Sequence, residues 1–332
     1  MQRDLPMADA TTATAARVLT VRTVSEAALG VKTFELADSE GKPLAAFEAG
    51  AHVEVTLPNG LARAYSLLNP PAENDRYVIG VHRSPDSAGG SVCMHEDIKA
   101  GDAIMVTPPR NNFKLVEDAA HTFLIAGGIG ITPILSMIHR LNQIGRPWTL
   151  HYCARTRAHA AFLAQLAALA EASGNRAHFH FDQEPGGARR DMAAATGKGG
   201  PDTGTHFYCC GPQPMLKAFE EATQALRERA HVEYFEAKEA AALDGGFVVV
   251  LQKSGMTLPV FPGTSILDTL SDAGVEVAFS CREGICGACE TRVLEGTPDH
   301  RDALLSDAEK QEGRTMMICC SGAKSERLVL DL

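Results

Sequence analysis

Four cysteines constrain this chain more tightly than any other feature of its 332 residues: Cys281, Cys286, Cys289 and Cys319 are spaced C-x4-C-x2-C-x29-C. Thiolates are soft, anionic ligands suited to iron and sulfide, and a [2Fe–2S] cluster needs four of them on two irons. Three closely spaced ligands wrap one side of such a cluster while a distant fourth closes the other, which is the plant-type ferredoxin spacing. The small residues Gly284, Gly287 and Ala288 let backbone N–H groups approach the sulfurs. Structural zinc is the competing metal, but it prefers two C-x2-4-C knuckles, and the second half here offers only the adjacent Cys319-Cys320. Inert core thiols are the other alternative. Cys319 rather than Cys320 is the expected fourth ligand, because neighbouring side chains of an extended segment point to opposite sides. Cys93 and Cys153 read as packing residues.

Nine cysteines, odd in number and unevenly spread, do not make a secreted disulfide framework. After Arg3 and Asp4 comes an Ala/Thr-rich stretch without an apolar core, so no export signal is expected and the reducing cytoplasm is the expected compartment. The most apolar window, Phe123 to Ile138, is interrupted by Gly127, Gly128, Gly130 and Pro133, which argues against a membrane span. A net charge of -10 argues against a basic nucleic-acid face. Hydrophobic residues at 45% and charged residues at 22% exclude a disordered or fibrous chain.

Length leaves room for two or three domains, and the pattern of punctuation divides the chain into three. Residues 1–16 read as a disordered tail. Over 17–112 short alternating runs (Val53-Val55-Leu57, Leu61-Arg63-Tyr65, Tyr77 to Val81) with turn residues between them predict an antiparallel β-barrel or sandwich. Over 113–235 strands at 122–126, 149–153 and 206–210 alternate with helices at 133–141, 158–172 and 214–230, predicting a doubly wound α/β sheet. Residues 236–246 read as a linker or a short solvated helix. Strands return over 247–332, where Gly245 to Leu332 carry 13 Asp+Glu against 8 Lys+Arg, half of the chain's excess negative charge.

Between the first α/β strand and its helix stands Gly127-Gly128-Ile129-Gly130-Ile131-Thr132-Pro133. Glycines there permit close backbone approach and a helix start favours a pyrophosphate, although Pro133 replaces the third glycine of the usual fingerprint and a plain turn remains open. Cys210-Gly211-Pro212 ends a later strand, at the edge of the sheet where ligands of such folds bind, and its thiol could line a nicotinamide ring. In the barrel, Arg63-Ala64-Tyr65-Ser66 sets one cation and one aromatic ring on the same side of a strand. His82-Arg83 and Gly89-Gly90-Ser91 add donors suited to a phosphate.

In this order the five motifs resemble the phthalate dioxygenase reductase family, and vanillate demethylase reductases in particular, over about residues 17–332. The resemblance implies an FMN barrel, an NAD domain and a plant-type ferredoxin domain of α+β (β-grasp) class. It implies that Arg63, Ala64, Tyr65 and Ser66 contact FMN, with Ser66 near N5. His82, Arg83, Gly89, Gly90 and Ser91 would hold its phosphate. Gly127, Gly128, Gly130, Thr132 and Pro133 would hold the NAD pyrophosphate. Cys210, with Gly211 and Pro212, would sit close to nicotinamide C4, and Phe235 would cover the flavin or simply pack in the core. Arg155-Thr156-Arg157 lacks the acid that binds a ribose 2′-hydroxyl, so NADPH stands beside NADH. Cys320-Ser321-Gly322 also departs from the family's usual sequence.

The function implied is the reductase component of an aromatic-ring oxygenase or demethylase, passing electrons from NADH through FMN and [2Fe–2S] to a terminal Rieske-type oxygenase, as a monomer when isolated. A stand-alone NAD(P)H flavin or cytochrome reductase and a non-turnover FMN/[2Fe–2S] redox sensor are the rival readings.

Overall fold

The computed structural model describes residues 16–85, 87–188, 191–192 and 204–332, so the expected tail lies almost wholly outside the described residues. The chain divides into two compact units, one running up to Cys210 and including Ala222–His231, the other comprising Gly211–Glu221 and Val232–Leu332.

The first unit begins with β1 (Arg17–Ala28) and β2 (Val31–Ala37), joined at Gly30, whose φ of 73° suits a residue without a Cβ. With β3 (His52–Thr56), β4 (Ala62–Ser66), β5 (Tyr77–His82) and β6 (Ala103–Val106) they form an antiparallel sheet ordered β4-β3-β6-β1-β2-β5. The two edge strands meet through a bridge between Leu67 and Ile79 and a 3.0 Å bond from the Leu68 N–H to the Val78 carbonyl, which closes the sheet into a barrel. Alternate residues point inward: Leu19 and Val21, Phe34 and Leu36, Val53 and Val55, Ile79 and Val81 are buried in one cluster. A short helix, α1 (Gly90–Glu96), adds Cys93 and Met94 to it.

A second sheet follows, ordered β11-β10-β7-β8-β9, from β7 (His121–Gly127), β8 (Trp148–Ala154), β9 (Arg176–Phe181), β10 (Thr205–Cys210) and β11 (Ala230–Glu233). Pairing from β10 through β9 is parallel. The chain runs outward from β7 to β9 and then returns to β10 on the other side, so the topological switch falls between β7 and β10. Two helices connect the outward strands. The first, α2 (Ile131–Gln143), starts two residues before the expected 133, which puts Pro133 in its first turn, where a missing N–H costs no hydrogen bond. The second, α3 (Leu163–Ser173), begins five residues later than the expected 158, because Arg157–His159 form a tight 3-10 turn and Phe162 takes a left-handed φ of 63°. The next helix, α4 (Gln213–Ala222), stops well short of the expected 230. A 3-10 segment, Gln224–Arg229, replaces its end, and Ala230–Glu233 are drawn into the sheet. No Gly or Pro marks that stop, so pairing at the sheet edge overrides local propensity.

Pairing at this edge is expected to weaken in acid. His231 stacks on Tyr208 at 4.4 Å and its Nε2 lies 2.9 Å from His206 Nδ1, while burial and the second imidazole push its pKa down to about 4. Its unfolded value is near 6.5, so the unfolded chain binds the extra proton and stability falls as pH drops from about 6.5 towards 4. The loss at the acid end is expected to be about 3 kcal/mol or less. Denaturant melts of the native protein and of His231→Asn across that range check it: the variant's stability should fall less steeply.

In the second unit, β12 (Phe247–Leu251) and β13 (Thr257–Val260) form a hairpin, followed by α5 (Ile266–Asp272), β14 (Glu290–Glu295), β15 (Pro298–Asp299), α6 (Asp307–Glu312), β16 (Thr315–Met317), β17 (Gly322–Ala323) and β18 (Arg327–Leu330). The mixed sheet runs β13-β12-β18-β14-β16, with β12 and β18 parallel, and Ile266, Leu267 and Leu270 of α5 share its core. That is the expected β-grasp arrangement. Residues 236–246 carry no helix; they are held by bonds such as Ala242 N–H to the Cys320 carbonyl at 2.8 Å. Among the described residues, no helix is long and apolar enough to cross a membrane.

Candidate functional site

Arg63-Ala64-Tyr65-Ser66 lies within strand β4, whereas the other motifs lie where a strand ends or a loop turns. Register pairs Arg63 with Val55, Tyr65 with Val53 and Ser66 with His52 on β3 and β4. Ser66 is buried, and burial pushes the Tyr65 phenol up, so the ring stays neutral. The stem of Arg63 lies over Gly90: a Cβ there would stand 2.9 Å from its Cγ and Nε. Gly89, at φ 95°, turns the chain into α1, and the Ser91 hydroxyl accepts the Ser84 N–H at 3.1 Å. Arg83 reaches Glu96 at 2.7 Å, and burial together with Arg155, His95 and His159 holds His82 below the usual histidine range. Arg63, Arg83, backbone donors and a glycine-floored cradle fit a phosphate monoester attached to a planar ring.

The nucleotide loop leaves β7 at Gly127, makes a 3-10 turn over Gly128–Gly130 and enters α2. Gly128 has φ 53°, and the Tyr152 hydroxyl pins the loop by donating to the Gly128 carbonyl at 3.2 Å while accepting the Ala161 N–H at 3.1 Å. Sequence reasoning missed Tyr152, because a strand aromatic carries no sign of where its hydroxyl goes. Thr132 is buried and bonds the Ile129 carbonyl at 3.0 Å, and its methyl packs on the barrel: a Cβ on Gly80 of β5 would meet it at 2.8 Å. Cys210 pairs in register with Ala126, one residue before Gly127, and is fully buried. Gly127 and Cys210 therefore flank the topological switch. Arg155 is exposed just beyond β8, and Arg157 lies over the Phe181 ring at 4.8 Å. Gly211 and Pro212 lead into α4, and half-buried Phe235 follows β11, all three in the second unit.

The cysteine loop lies between α5 and β14. Cys281 shares hydrogen bonds with the thiols of Cys286 and Cys319, and Cys289 with that of Cys319. Those bonds, with backbone N–H groups of Glu283 and Ile285, hold the Cys281 thiol down towards thiolate; Cys286 and Cys319 are held up as donors. Among the described residues no three His, Cys, Asp or Glu converge on a single metal ion. The four thiols form one linked set, Cys286 to Cys281, Cys281 to Cys319 and Cys319 to Cys289, and a set of four thiols fits a two-iron cluster. Glycine backbone gives the loop its path: Gly284 and Gly287 have φ 70° and 78°, and Arg282 is left-handed at φ 59°. Cys319 and Cys320 lie in a turn after β16, not in the extended segment from which their sidedness was argued. The Cys320 sulfur lies against Gly284 and 3.7 Å from the Met317 carbonyl.

Residues 249–324 match the family model described as a 2Fe-2S iron-sulfur cluster binding domain, and residues 124–221 match the oxidoreductase NAD-binding domain. The phenoxybenzoate dioxygenase subunit beta of Ectopseudomonas oleovorans is 52% identical over 95% of this chain and 97% of its own. A solved phthalate dioxygenase reductase, titled as a modular structure for electron transfer from pyridine nucleotides to [2Fe–2S], is 39% identical over 96% of this chain and 98% of its own, with a TM-score of 0.71. An intact type IV self-sufficient cytochrome P450 monooxygenase matches all of this chain at 35% identity and TM-score 0.86, but this chain spans only 43% of that structure's length. Barrel, pyridine-nucleotide sheet and four-cysteine domain, in one order and at these identities over nearly the whole length, place this chain in the phthalate dioxygenase reductase family of oxidoreductases.

Proposed function

We propose that the chain is the reductase component of an oxygenase system, receiving reducing equivalents from NADH and delivering them singly to a terminal Rieske-type oxygenase. The observation carrying this reading is the coexistence, in one chain, of a nucleotide loop at a sheet switch point, a glycine-floored cradle beside two arginines on a barrel and a linked set of four thiols. When bound, the nicotinamide supplies a hydride, the flavin converts the pair into single electrons, and the cluster carries them out one at a time. What the chain's residues do is hold, orient and insulate. Arg63, Arg83, Gly89, Gly90 and Ser91 bind the FMN phosphate, Tyr65 and Ser66 line its ring, and Gly127–Gly130 with Thr132 position the pyrophosphate. Cys210 would lie beside the nicotinamide, and Cys281, Cys286, Cys289 and Cys319 would ligate the irons.

Charge supports a protein acceptor: the cluster domain's 13 acids against 8 bases suit a basic docking face. Turnover with the oxygenase is expected to fall as ionic strength rises, whereas reduction of an uncharged quinone acceptor by NADH stays level. An oxygenase rate unchanged by salt, with docking limiting, would refute the electrostatic part. A second reading, with a haem monooxygenase as acceptor, rests on the match to part of a cytochrome P450 monooxygenase. Anaerobic titration with NADH and with NADPH, read by visible and EPR spectra, followed by mixing with each acceptor, decides both acceptor and donor. Efficient reduction by NADPH would assign Arg155 to a 2′-phosphate.

A further inference from the structure

Behind the cysteine loop lies a pair of buried polar groups that neither cluster ligation nor nucleotide binding uses. His300 and Asp302 follow β15, with side chains 7% and 0% exposed, and His300 Nδ1 stands 3.7 Å from Asp302 Oδ1. That gap is too long for a hydrogen bond and too short to admit a bridging water. The His300 ring nitrogens and Asp302 Oδ1 are buried; the imidazole meets the Lys310 backbone without a well-formed hydrogen bond, and Oδ1 has no hydrogen-bond partner among the described residues. Leaving such atoms poorly matched is costly and calls for a functional explanation. The other carboxylate oxygen is fully used: Oδ2 accepts the N–H groups of Leu304 and Leu305 at 3.1 and 2.8 Å. Asp302 is therefore fixed in place, with one oxygen held open towards His300.

Backbone ties this pair to both halves of the ligand set. The Ala303 N–H donates to the carbonyl of Gly284, between Cys281 and Cys286, at 3.1 Å. A Cβ on Gly284 would stand only 3.0 Å from the Asp302 Cα. The Arg301 N–H donates to the hydroxyl of Ser321, two residues past Cys319, at 3.2 Å. An electron added at the cysteines therefore places negative charge on a loop whose backbone is hydrogen-bonded to the residues flanking Asp302.

We propose that His300 and Asp302 are a proton-accepting pair that compensates the charge delivered to the cluster: as one electron arrives, one proton from solvent goes onto the His300 imidazole, which then closes onto Asp302 Oδ1. The groups facing the pair set its resting state. Burial, with the ammonium groups of Lys310 and Lys324, holds the imidazole below its usual range, against the Asp302 carboxylate and the Lys310 backbone, which draw a proton to it. Lys310 lies 3.8 Å from Asp302 Oδ2, Lys324 lies 3.9 Å from Asp299, and Asp299 is itself paired with Arg301 at 2.7 Å. Against that environment, added negative charge moves the imidazole towards protonation.

This inference rests on the reading that the four cysteines hold the cluster, and the experiment separates the two. The cluster midpoint potential of the holoprotein is measured at the cluster's own EPR signal between about pH 6 and 9, the range of a histidine. The reduction equilibrium is expected to weaken by up to tenfold per pH unit over part of that range, about 59 mV for one electron. His300→Gln should keep the EPR signal and flatten the profile, and Asp302→Asn should shift its inflection; if Asp302→Asn does not fold, His300→Gln alone decides. A flat wild-type profile, or an unchanged slope in His300→Gln, overturns the proton-accepting pair while leaving the cluster reading intact. Absence of any reduced-cluster signal in the wild-type protein overturns both.

Discussion

Cys286→Ser is expected to abolish electron delivery to the oxygenase, by at least about 100-fold, while NADH-driven reduction of ferricyanide continues at close to the native rate. The argument is one of position. Cys286 belongs to the linked set of thiols in the second unit, whereas the nucleotide loop and the Arg63 cradle belong to the first. A serine hydroxyl is a harder, less acidic ligand than a thiolate, so one iron loses its hold without disturbing the barrel. Paired assays on one preparation check it, with the EPR signal as the internal control. Equal loss of both activities would mean that the flavin site depends on the cluster domain and would favour a single inseparable reductase.

The second large effect is expected at Gly284. Its φ is 70°, and a Cβ would lie 2.5 Å from the Cys320 sulfur and 3.0 Å from the Asp302 Cα. Valine there combines a left-handed β-branched residue with overpacking on two sides, together costing about 3 kcal/mol. The cluster should be lost or only partly loaded, and the second unit should melt earlier. Gly287 has a comparable φ of 78°. A thermal melt of the holoprotein, followed at the visible absorbance of the cluster, reads the difference; Gly284→Val with native loading and melting would show that the loop moves aside more readily than its backbone contacts indicate.

The cysteine spacing disclosed most of the second unit's chemistry, because three ligands in nine residues require one loop and leave few folds able to present it. The glycine-rich turn after β7 was equally legible, since a strand, three glycines and a helix can be read from local composition. The shape of α4 was not. Nothing between Ala222 and Ala230 signals a stop, and the sheet edge that claims Ala230–Glu233 is assembled from strands far away in sequence. The Cys319-Cys320 assignment shows a subtler limit: the sidedness argument assumed an extended chain, yet a turn sets the orientation of both thiols. His300 and Asp302 were invisible for the same reason, being ordinary surface-type residues until Gly284 is folded over them.

Gly80 gives the first unit a property that no side chain could supply. Strand β5 and the start of α2 touch where the Thr132 methyl occupies the room a Cβ would need. The close fit of strand β5 against the helix that follows the nucleotide loop is therefore set by a missing methyl group. Gly80→Ala is expected to force Thr132 aside or to push the two elements apart, which a comparison of NADH-driven ferricyanide reduction in the two proteins would read.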